Sequence, residues 1–170
     1  PTTYNRQNVA IHTAHGPLTQ TEFRLGIAKA RTWLLLQGLQ PGDVAALQLP
    51  KSLVFLELVL ACFAEGITAL PLNPKYTRKE LNYFLQDSNA RIAVTSVSCH
   101  LTNVDLKLFP AEGMSKRIEN CTPRESQPLH SPHSIAMLMY TSGTTGRPKA
   151  AALSHANIQA TVEALHQAWG

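Results

Sequence analysis

The residues best suited to chemistry lie within positions 140–149, late in the sequence. This run is Tyr140, Thr141, Ser142, Gly143, Thr144, Thr145, Gly146, Arg147, Pro148 and Lys149. Glycine lets backbone amides approach an anion closely, serine and threonine hydroxyls donate hydrogen bonds, and lysine supplies a mobile positive charge. The composition favours a phosphate group as ligand. The same residue types also build ordinary polar surface turns, so composition alone leaves both interpretations open.

The run does not match the common nucleotide loop G-x-x-x-x-G-K-[ST]. Gly143 and Gly146 stand too close together, and Pro148 directly precedes Lys149. Proline lacks an amide donor and disfavours helix at the residue before it, so the run should not lead straight into a helix. We therefore predict a loop between two strands, over 135–140 and 150–153.

Helix signals recur along the first half of the chain. Thr19 with Glu22 and Thr77 with Glu80 have the spacing of capping boxes, which predict helix starts. Ser52 is predicted to cap a further helix over 53–65. Apolar positions after each cap recur at helical spacing, so each helix should pack one face against a larger body.

Short apolar runs alternate with these helices, at 44–49, 67–72 and 91–95. Such runs are typical of strands buried on both faces, as parallel sheets require. The order predicts an α/β fold: a doubly wound, largely parallel sheet with helices on both faces. Ligands of such sheets bind beyond the carboxyl ends of the strands, where the run at 140–149 would lie.

The sequence predicts that the chain is organised in three segments. Residues 1–95 form a βαβ-type subdomain, and residues 96–134 form a loop-rich connection with four prolines and one short strand over 106–109. Residues 135–170 supply a strand, the candidate phosphate-binding loop, a second strand and a helix capped by Ser154 and running through Ala168. This last segment is expected to be an incomplete domain.

Composition excludes several classes of protein. The 15 basic and 11 acidic residues give a net charge of +4, but the basic residues are scattered, so nucleic acid is not an expected partner. The longest apolar stretch, 53–64, contains Glu57 and falls short of the about 20 residues of a membrane span. Cys62, Cys99 and Cys121 show neither disulfide nor zinc spacing, which favours a reducing, cytoplasmic location.

A few other residues have an ordinary structural interpretation. His155 follows the Ser154 cap and is expected to be solvated, and no histidine spacing predicts a metal site. Cys62 is expected to be a packed core thiol. Asn73 and Tyr76 follow a strand, where they either satisfy turn hydrogen bonds or border a pocket.

The ordered run at 140–149 resembles the signature loop of the adenylate-forming superfamily, which includes acyl-CoA synthetases, peptide synthetase adenylation domains and luciferases. The resemblance extends to Gly38-Leu39-Gln40-Pro41-Gly42-Asp43-Val44-Ala45, to Ala69-Leu70-Pro71-Leu72-Asn73-Pro74 and to Leu153-Ser154-His155-Ala156-Asn157. Residues 70–84 look most like malonyl-CoA synthetases. The resemblance implies that the chain is the N-terminal part of the family's large domain.

The resemblance also implies a reaction. A small carboxylic acid attacks the α-phosphate of ATP, and coenzyme A then takes the acyl group from the adenylate. The residues that would surround the β- and γ-phosphates are Thr141, Ser142, Gly143, Thr144, Thr145 and Gly146, with Lys149 as a nearby cation. Thr144 or Thr145 would also approach the Mg²⁺ that accompanies ATP.

Two departures from the family pattern bear on whether the isolated chain is expected to be active. Ala150 stands where many members have glycine, and the family's adenine-binding, metal-binding and catalytic groups lie downstream of Gly170. We therefore expect no catalytic residue within this chain and an inactive isolated fragment that exposes apolar surface and self-associates. The alternatives are a stand-alone or truncated nucleotide-binding module without catalysis, and an interaction fragment whose loop is only a turn.

Overall fold

A computed structural model of the chain describes residues 9–13, 16–97, 106–124, 130–141 and 148–169. The strands are β1 Val9–Thr13, β2 Gly16–Thr19, β3 Val44–Leu47, β4 Thr68–Pro71, β5 Ile92–Thr95, β6 Lys107–Pro110, β7 Ile135–Thr141 and β8 Lys149–Ser154. The helices are α1 Gln20–Leu36, α2 Leu53–Ala64, α3 Arg78–Asp87, α4 Met114–Glu119 and α5 His155–Trp169. Within these residues, no helix combines the length and apolar character needed to cross a bilayer.

The central sheet has six strands in the order β6-β5-β3-β4-β7-β8. Its first five strands are parallel, and β8 returns antiparallel to β7. Ala45 of β3 lies between Ala69 of β4 and Ile92 of β5, and all three side chains are buried. The predicted fold class, a largely parallel α/β sheet, is confirmed.

Helices cover both faces of this sheet, because successive side chains of a strand point to opposite sides. On one face, α1, α2 and α4 pack on Ala45 and Leu47 of β3. On the other face, α3 packs Leu81, Phe84 and Leu85 against Ala46. These three α3 residues are the apolar face that the sequence predicts.

The helix starts follow their predicted caps. At α3, the Thr77 amide donates to Glu80 Oε2 at 2.8 Å, and the Glu80 amide donates to Thr77 Oγ1 at 3.4 Å. The same reciprocal pair joins Thr19 and Glu22 at α1. These bonds satisfy backbone donors that a helix start otherwise leaves unpaired, so they fix where the two helices begin.

Three elements, β1, β2 and α4, were not predicted. β1 and β2 form a separate antiparallel pair, and α4 is a six-residue helix within the segment interpreted as loop-rich. Gly113 precedes α4 with a φ of 73° and makes no side-chain cap, so the usual start signal is missing. Met114 and Ile118, one turn apart, are its two buried side chains.

Glu57 is the single acidic residue of the apolar helix α2, and it is only 7% exposed. Its carboxylate lies against Gly26 of α1, where a Cβ atom would overlap with Glu57 Oε1. Burial raises the pKa of the Glu57 carboxyl, and the charge of Lys29 opposes this rise in part. The ionised form is therefore less favourable in the folded chain than in the unfolded chain.

Glu57→Gln is expected to stabilise the fold at neutral pH. Folding raises the pKa of Glu57, so the folded state binds this proton more tightly than the unfolded state. The free energy of unfolding of the wild type therefore falls as the pH rises through the folded pKa. Glutamine resembles the protonated acid, so the variant should exceed the wild type in free energy of unfolding at pH 7. The two free energies should converge below pH 4.5, the ordinary pKa of a glutamate carboxyl.

Urea unfolding at a series of pH values measures this effect, with Glu65→Gln as a matched control. Glu65 Oε1 accepts a 2.6 Å bond from Arg31 Nε, so its neutralisation should destabilise the chain at pH 7. A Glu57→Gln variant less stable than the wild type at pH 7 would contradict the expectation.

Candidate functional site

The loops that follow three parallel strands are joined at the carboxyl end of the sheet by Gln48, which is 3% exposed. Its amide nitrogen donates to the carbonyls of Asn73 and Tyr76, both at 3.1 Å. Its Oε1 accepts from Thr95 Oγ1, which in turn accepts from the Val97 amide at 2.9 Å. Buried and half-buried hydrogen bonds therefore join the loops after β3, β4 and β5 at the carboxyl end of the sheet.

Asn73 and Tyr76 take part in turn hydrogen bonding. The Asn73 carbonyl accepts the bond from Gln48. The Asn73 side chain also accepts a bond, from the Lys75 amide to Oδ1 at 2.9 Å, and this forms an Asx-type turn. The turn interpretation of these two residues is therefore supported.

The predicted strand, loop and strand arrangement is confirmed for the two strands. β7 and β8 pair antiparallel, and Thr141 and Lys149 form the last pair of their register. Thr141 Oγ1 donates to the Lys149 carbonyl at 3.5 Å. Two of the predicted site residues therefore lie side by side. The other five, Ser142, Gly143, Thr144, Thr145 and Gly146, lie outside the described residues and stay predictions.

Lys149 offers a cation at this position. The residue is exposed, and no carboxylate within the described parts of the chain forms an ion pair with it. A lysine in this setting can bind an anionic ligand without giving up an existing partner.

Helix α3 contacts this hairpin near the run that joins its strands, through Tyr140 of β7 and through Pro148, the residue before β8. Tyr83 Oη donates to the carbonyl of Pro148 at 2.8 Å, and Tyr140 Oη donates to Asp87 Oδ2 at 2.6 Å. Phe84 contacts both tyrosines, with its ring centroid 4.5 Å from that of Tyr140 and 5.5 Å from that of Tyr83. The residues next to Thr141 and Lys149 are therefore fixed to a helix whose apolar face, Leu81, Phe84 and Leu85, is buried.

A cavity of about 1140 Å³ lies elsewhere at the carboxyl end of the sheet. Its walls include Leu49, Ser96 and Ala111, which follow β3, β5 and β6, together with residues of α1, α2 and α4. None of the lining residues that the structure describes belongs to β7 or β8. The cavity is thus separate from the pair formed by Thr141 and Lys149.

His155 is not the solvated residue that the sequence suggested. Its ring stacks on His130 with centroids 3.9 Å apart, and it meets the Phe63 ring at 5.9 Å. Its Nε2 atom is buried and has no hydrogen-bond partner among the residues that the structure describes, and burial lowers the pKa of the imidazole. The expectation failed because the partner ring comes from a segment 25 residues earlier in the numbering, which helix-cap signals do not encode.

The thiols and possible metal ligands have simple placements. Cys62 is fully buried in the α1–α2 core, which confirms the predicted core thiol, and burial raises its pKa. Cys121 is also a free thiol. In the part of the chain that the structure describes, no three histidine, cysteine or carboxylate side chains converge as a metal site would require.

An open, mostly parallel α/β sheet whose last two strands flank a glycine- and hydroxyl-rich run is an architecture suited to nucleotides. The chain belongs to the family of AMP-binding enzymes, whose family model matches residues 2–170. This match confirms the resemblance to adenylate-forming enzymes. The fold is that of the N-terminal part of their large domain.

Relatives of two kinds are similar to the chain. The nonribosomal peptide synthetase NPS2 of Ceriporiopsis subvermispora (strain B) is 29% identical over 135 residues, which are 78% of this chain and 6% of that protein. The oxalate–CoA ligase of Arabidopsis thaliana is 30% identical over 146 residues, covering 74% of this chain and 27% of the relative. Both a peptide synthetase and a CoA ligase therefore share this sequence region.

A solved structure is also similar to the chain. ATP-bound MatB from Rhodopseudomonas palustris matches with a TM-score of 0.83 and 30% identity over 95% of this chain. The match covers 35% of the MatB chain, so the chain spans about a third of that enzyme's length.

Proposed function

We propose that the protein is an ATP-dependent acid–CoA ligase, in which this chain supplies the part that binds the ATP phosphates. The observation that carries the proposal is the adjacency of Thr141 and Lys149 at the end of the β7–β8 hairpin, on either side of a glycine- and hydroxyl-rich run. Membership of the AMP-binding family and the similarity to a CoA ligase support it.

In this proposal the run binds the β- and γ-phosphates of ATP. Its residues are Thr141, Ser142, Gly143, Thr144, Thr145 and Gly146, with Lys149 as the cation. Amide and hydroxyl donors suit phosphate oxygens, and the exposed ammonium of Lys149 compensates their negative charge. Thr144 or Thr145 would contact the Mg²⁺ of Mg-ATP, since hydroxyl oxygens suit this hard cation.

The proposed reaction has two steps. A carboxylate oxygen of the acid forms a bond to the α-phosphorus, while the bond from that phosphorus to the bridging oxygen breaks and pyrophosphate leaves. The sulfur of coenzyme A then bonds to the acyl carbon, the bond from that carbon to the phosphate oxygen of the adenylate breaks, AMP leaves, and the thiol proton passes to solvent. Mg²⁺, when bound with ATP, offsets charge on the departing pyrophosphate.

The chain's own contribution is electrostatic. Donors and a cation placed before the reaction stabilise the charge that develops on the leaving pyrophosphate. We assign no general acid or base to the chain, so the isolated chain is expected to release no pyrophosphate from ATP with any acid.

The acceptor of the acyl group distinguishes two versions of the proposal. Similarity to a nonribosomal peptide synthetase favours a second candidate, an adenylation domain that delivers its acyl group to a carrier protein rather than to free coenzyme A. The first candidate is tested by incubating full-length protein with ATP, Mg²⁺, coenzyme A and a panel of acids that includes oxalate and malonate.

Mass spectrometry should then detect an acyl-CoA thioester and AMP in equal amounts with at least one acid. Formation of adenylate and pyrophosphate without any thioester would reject the CoA ligase and favour the carrier-dependent candidate. Omitting each acid in turn is the control, because AMP formed without acid reports only ATP hydrolysis.

Self-association of the isolated chain is part of the proposal. Helix α5 has no buried residue among those described, and Val162, Leu165 and Trp169 are 59%, 42% and 82% exposed. Exposed apolar surface on a single helix favours association. Light scattering of the isolated chain should show species larger than a monomer, and V162S/L165S should reduce them. A monodisperse monomer of the unmodified chain would contradict this expectation.

We also propose a cytoplasmic location. Cys62 and Cys121 are both free thiols, as a reducing compartment permits.

A further inference from the structure

Helix α3 bonds to both sides of the β7–β8 hairpin, through a different side chain on each side. Tyr83 and Asp87 are four residues apart, so they project from the same side of the helix. Tyr83 donates to the carbonyl of Pro148, the residue before β8, and Asp87 accepts a hydrogen bond from the hydroxyl of Tyr140 on β7. Both bonds end one residue from the predicted site residues Lys149 and Thr141.

The bond from Tyr83 acts on the peptide group that carries the Lys149 amide. The Pro148 carbonyl and the Lys149 N–H belong to one planar unit, so a hydrogen bond to the oxygen orients both. Because Pro148 has no N–H of its own, its carbonyl is its only backbone group able to make such a bond. The direction in which the chain enters β8 is thus set from α3.

The bond from Tyr140 acts on the other side of the hairpin. The Tyr140 ring packs at 4.5 Å from Phe84, which is 2% exposed, and its hydroxyl reaches Asp87. Burial and the neighbouring Asp87 carboxylate raise the pKa of Tyr140, so its hydroxyl remains a donor at physiological pH. Thr141 therefore follows a side chain that is fixed by both packing and a hydrogen bond.

Helix α3 is itself held firmly in the fold. Leu81, Phe84 and Leu85 are buried against the sheet, and the Thr77–Glu80 capping box fixes the helix start. Strand pairing of β7 with β8 already accounts for the existence of the hairpin. The two hydrogen bonds from α3 also fix where the loop end of the hairpin lies relative to the parallel sheet.

We propose that Tyr83 and Asp87, the latter through Tyr140, are positioning residues that hold Thr141 and Lys149 in the geometry that ATP phosphates require. The inference rests on the proposed function. It assigns to α3, which carries none of the predicted phosphate-binding residues, a role in nucleotide affinity.

The test uses full-length protein and the exchange of pyrophosphate into ATP at varied concentrations of Mg-ATP and of acid. Tyr83→Phe and Tyr140→Phe each remove one hydroxyl and retain the ring. Each should raise the KM for Mg-ATP about fivefold to tenfold, the effect of one hydrogen bond. The KM for the acid should stay unchanged. Tyr76→Phe is the matched control, because Tyr76 contacts the same Phe84 ring without a described bond to β7 or β8.

Asp87 provides a rescue experiment. Asp87→Asn keeps an oxygen that can accept from Tyr140 and should retain a KM for Mg-ATP close to that of the wild type. Asp87→Ala should behave like Tyr140→Phe. Equal KM values for Mg-ATP in Tyr83→Phe, Tyr140→Phe and the Tyr76→Phe control would overturn the inference, and so would parallel rises in the KM of ATP and acid.

A separate measurement distinguishes failure of this inference from failure of the proposed function. Absence of acid-dependent exchange in the wild type would reject the proposed function. Amide hydrogen exchange of full-length protein does not depend on activity, so it still tests whether α3 positions the hairpin. Tyr83→Phe should accelerate exchange at Lys149 and Ala150 more than Tyr76→Phe does, and unchanged protection would overturn the positioning role.

Discussion

Replacing Lys149 with alanine is expected to weaken the binding of Mg-ATP to full-length protein about tenfold to a hundredfold. A hydrogen bond to a charged group contributes about 1.5–3 kcal/mol, which corresponds to this range. The exposed ammonium of Lys149 has no ion pair among the described residues, so alanine removes a ligand contact without breaking a described internal one.

Calorimetric titration of full-length protein with Mg-ATP measures the effect. Lys75→Ala is the control, because Lys75 is also an exposed cation in the loop after β4, at the carboxyl end of the sheet. A nonspecific charge effect would weaken binding equally in both variants. An affinity of Lys149→Ala within twofold of the wild type would remove Lys149 from the proposed site.

Phe84→Ala is expected to cause the largest loss of stability, about 3–5 kcal/mol, as is typical of a buried aromatic replaced by alanine. Phe84 is 2% exposed, and its ring lies within 4.8 Å of Tyr76 and 4.5 Å of Tyr140, measured between centroids. Removing the ring leaves a cavity between α3 and the sheet and frees the two tyrosines that it contacts.

Urea unfolding of the 170-residue chain measures this loss. Trp169→Ala is the aromatic control, because Trp169 is 82% exposed and its removal should change stability by no more than about 0.5 kcal/mol. A loss below about 1 kcal/mol for Phe84→Ala would contradict the assignment of Phe84 to the core.

Those parts of the fold that local sequence signals encode could be predicted. Helices α1 and α3 begin directly after the predicted caps Thr19 and Thr77, because each capping box lies within four consecutive residues. The strands of the parallel sheet could be predicted because burial on both faces requires continuous apolar runs. Predicted bounds differ from the observed ones by one or two residues, as at β3, where 44–49 became Val44–Leu47.

The elements that escaped prediction lack such signals. Helix α4 has six residues, one apolar pair and no capping side chain, so its formation depends on packing against α1. The β1–β2 pair has side chains that alternate between half-buried and exposed, and the two residues between its strands, Ala14 and His15, are not a Gly-containing hairpin pair. The β1–β2 pair and α4 both contact α1, which is distant from α4 in sequence, and local sequence signals do not encode such tertiary contacts.

The candidate site divides in the same way. Residue type and position at a strand end predict Thr141 and Lys149 as phosphate-binding residues, and that role stays a prediction, whereas the contacts of Tyr83 and Asp87 with the hairpin have no sequence signal. Their partners Pro148 and Tyr140 are 65 and 53 residues away along the chain. Spacing within a motif carries no information about such contacts, which depend on how α3 packs on the sheet.

Activation of a carboxylic acid as its adenylate is the step on which the proposed function depends, and the exchange of labelled pyrophosphate into ATP in full-length protein measures it directly. We expect exchange that requires both Mg²⁺ and one particular acid and that falls at least about tenfold in Lys149→Ala at limiting Mg-ATP. If no acid raises the exchange rate above background while Mg-ATP still binds, the proposed adenylate chemistry is contradicted. The protein would then be a nucleotide-binding module without catalysis.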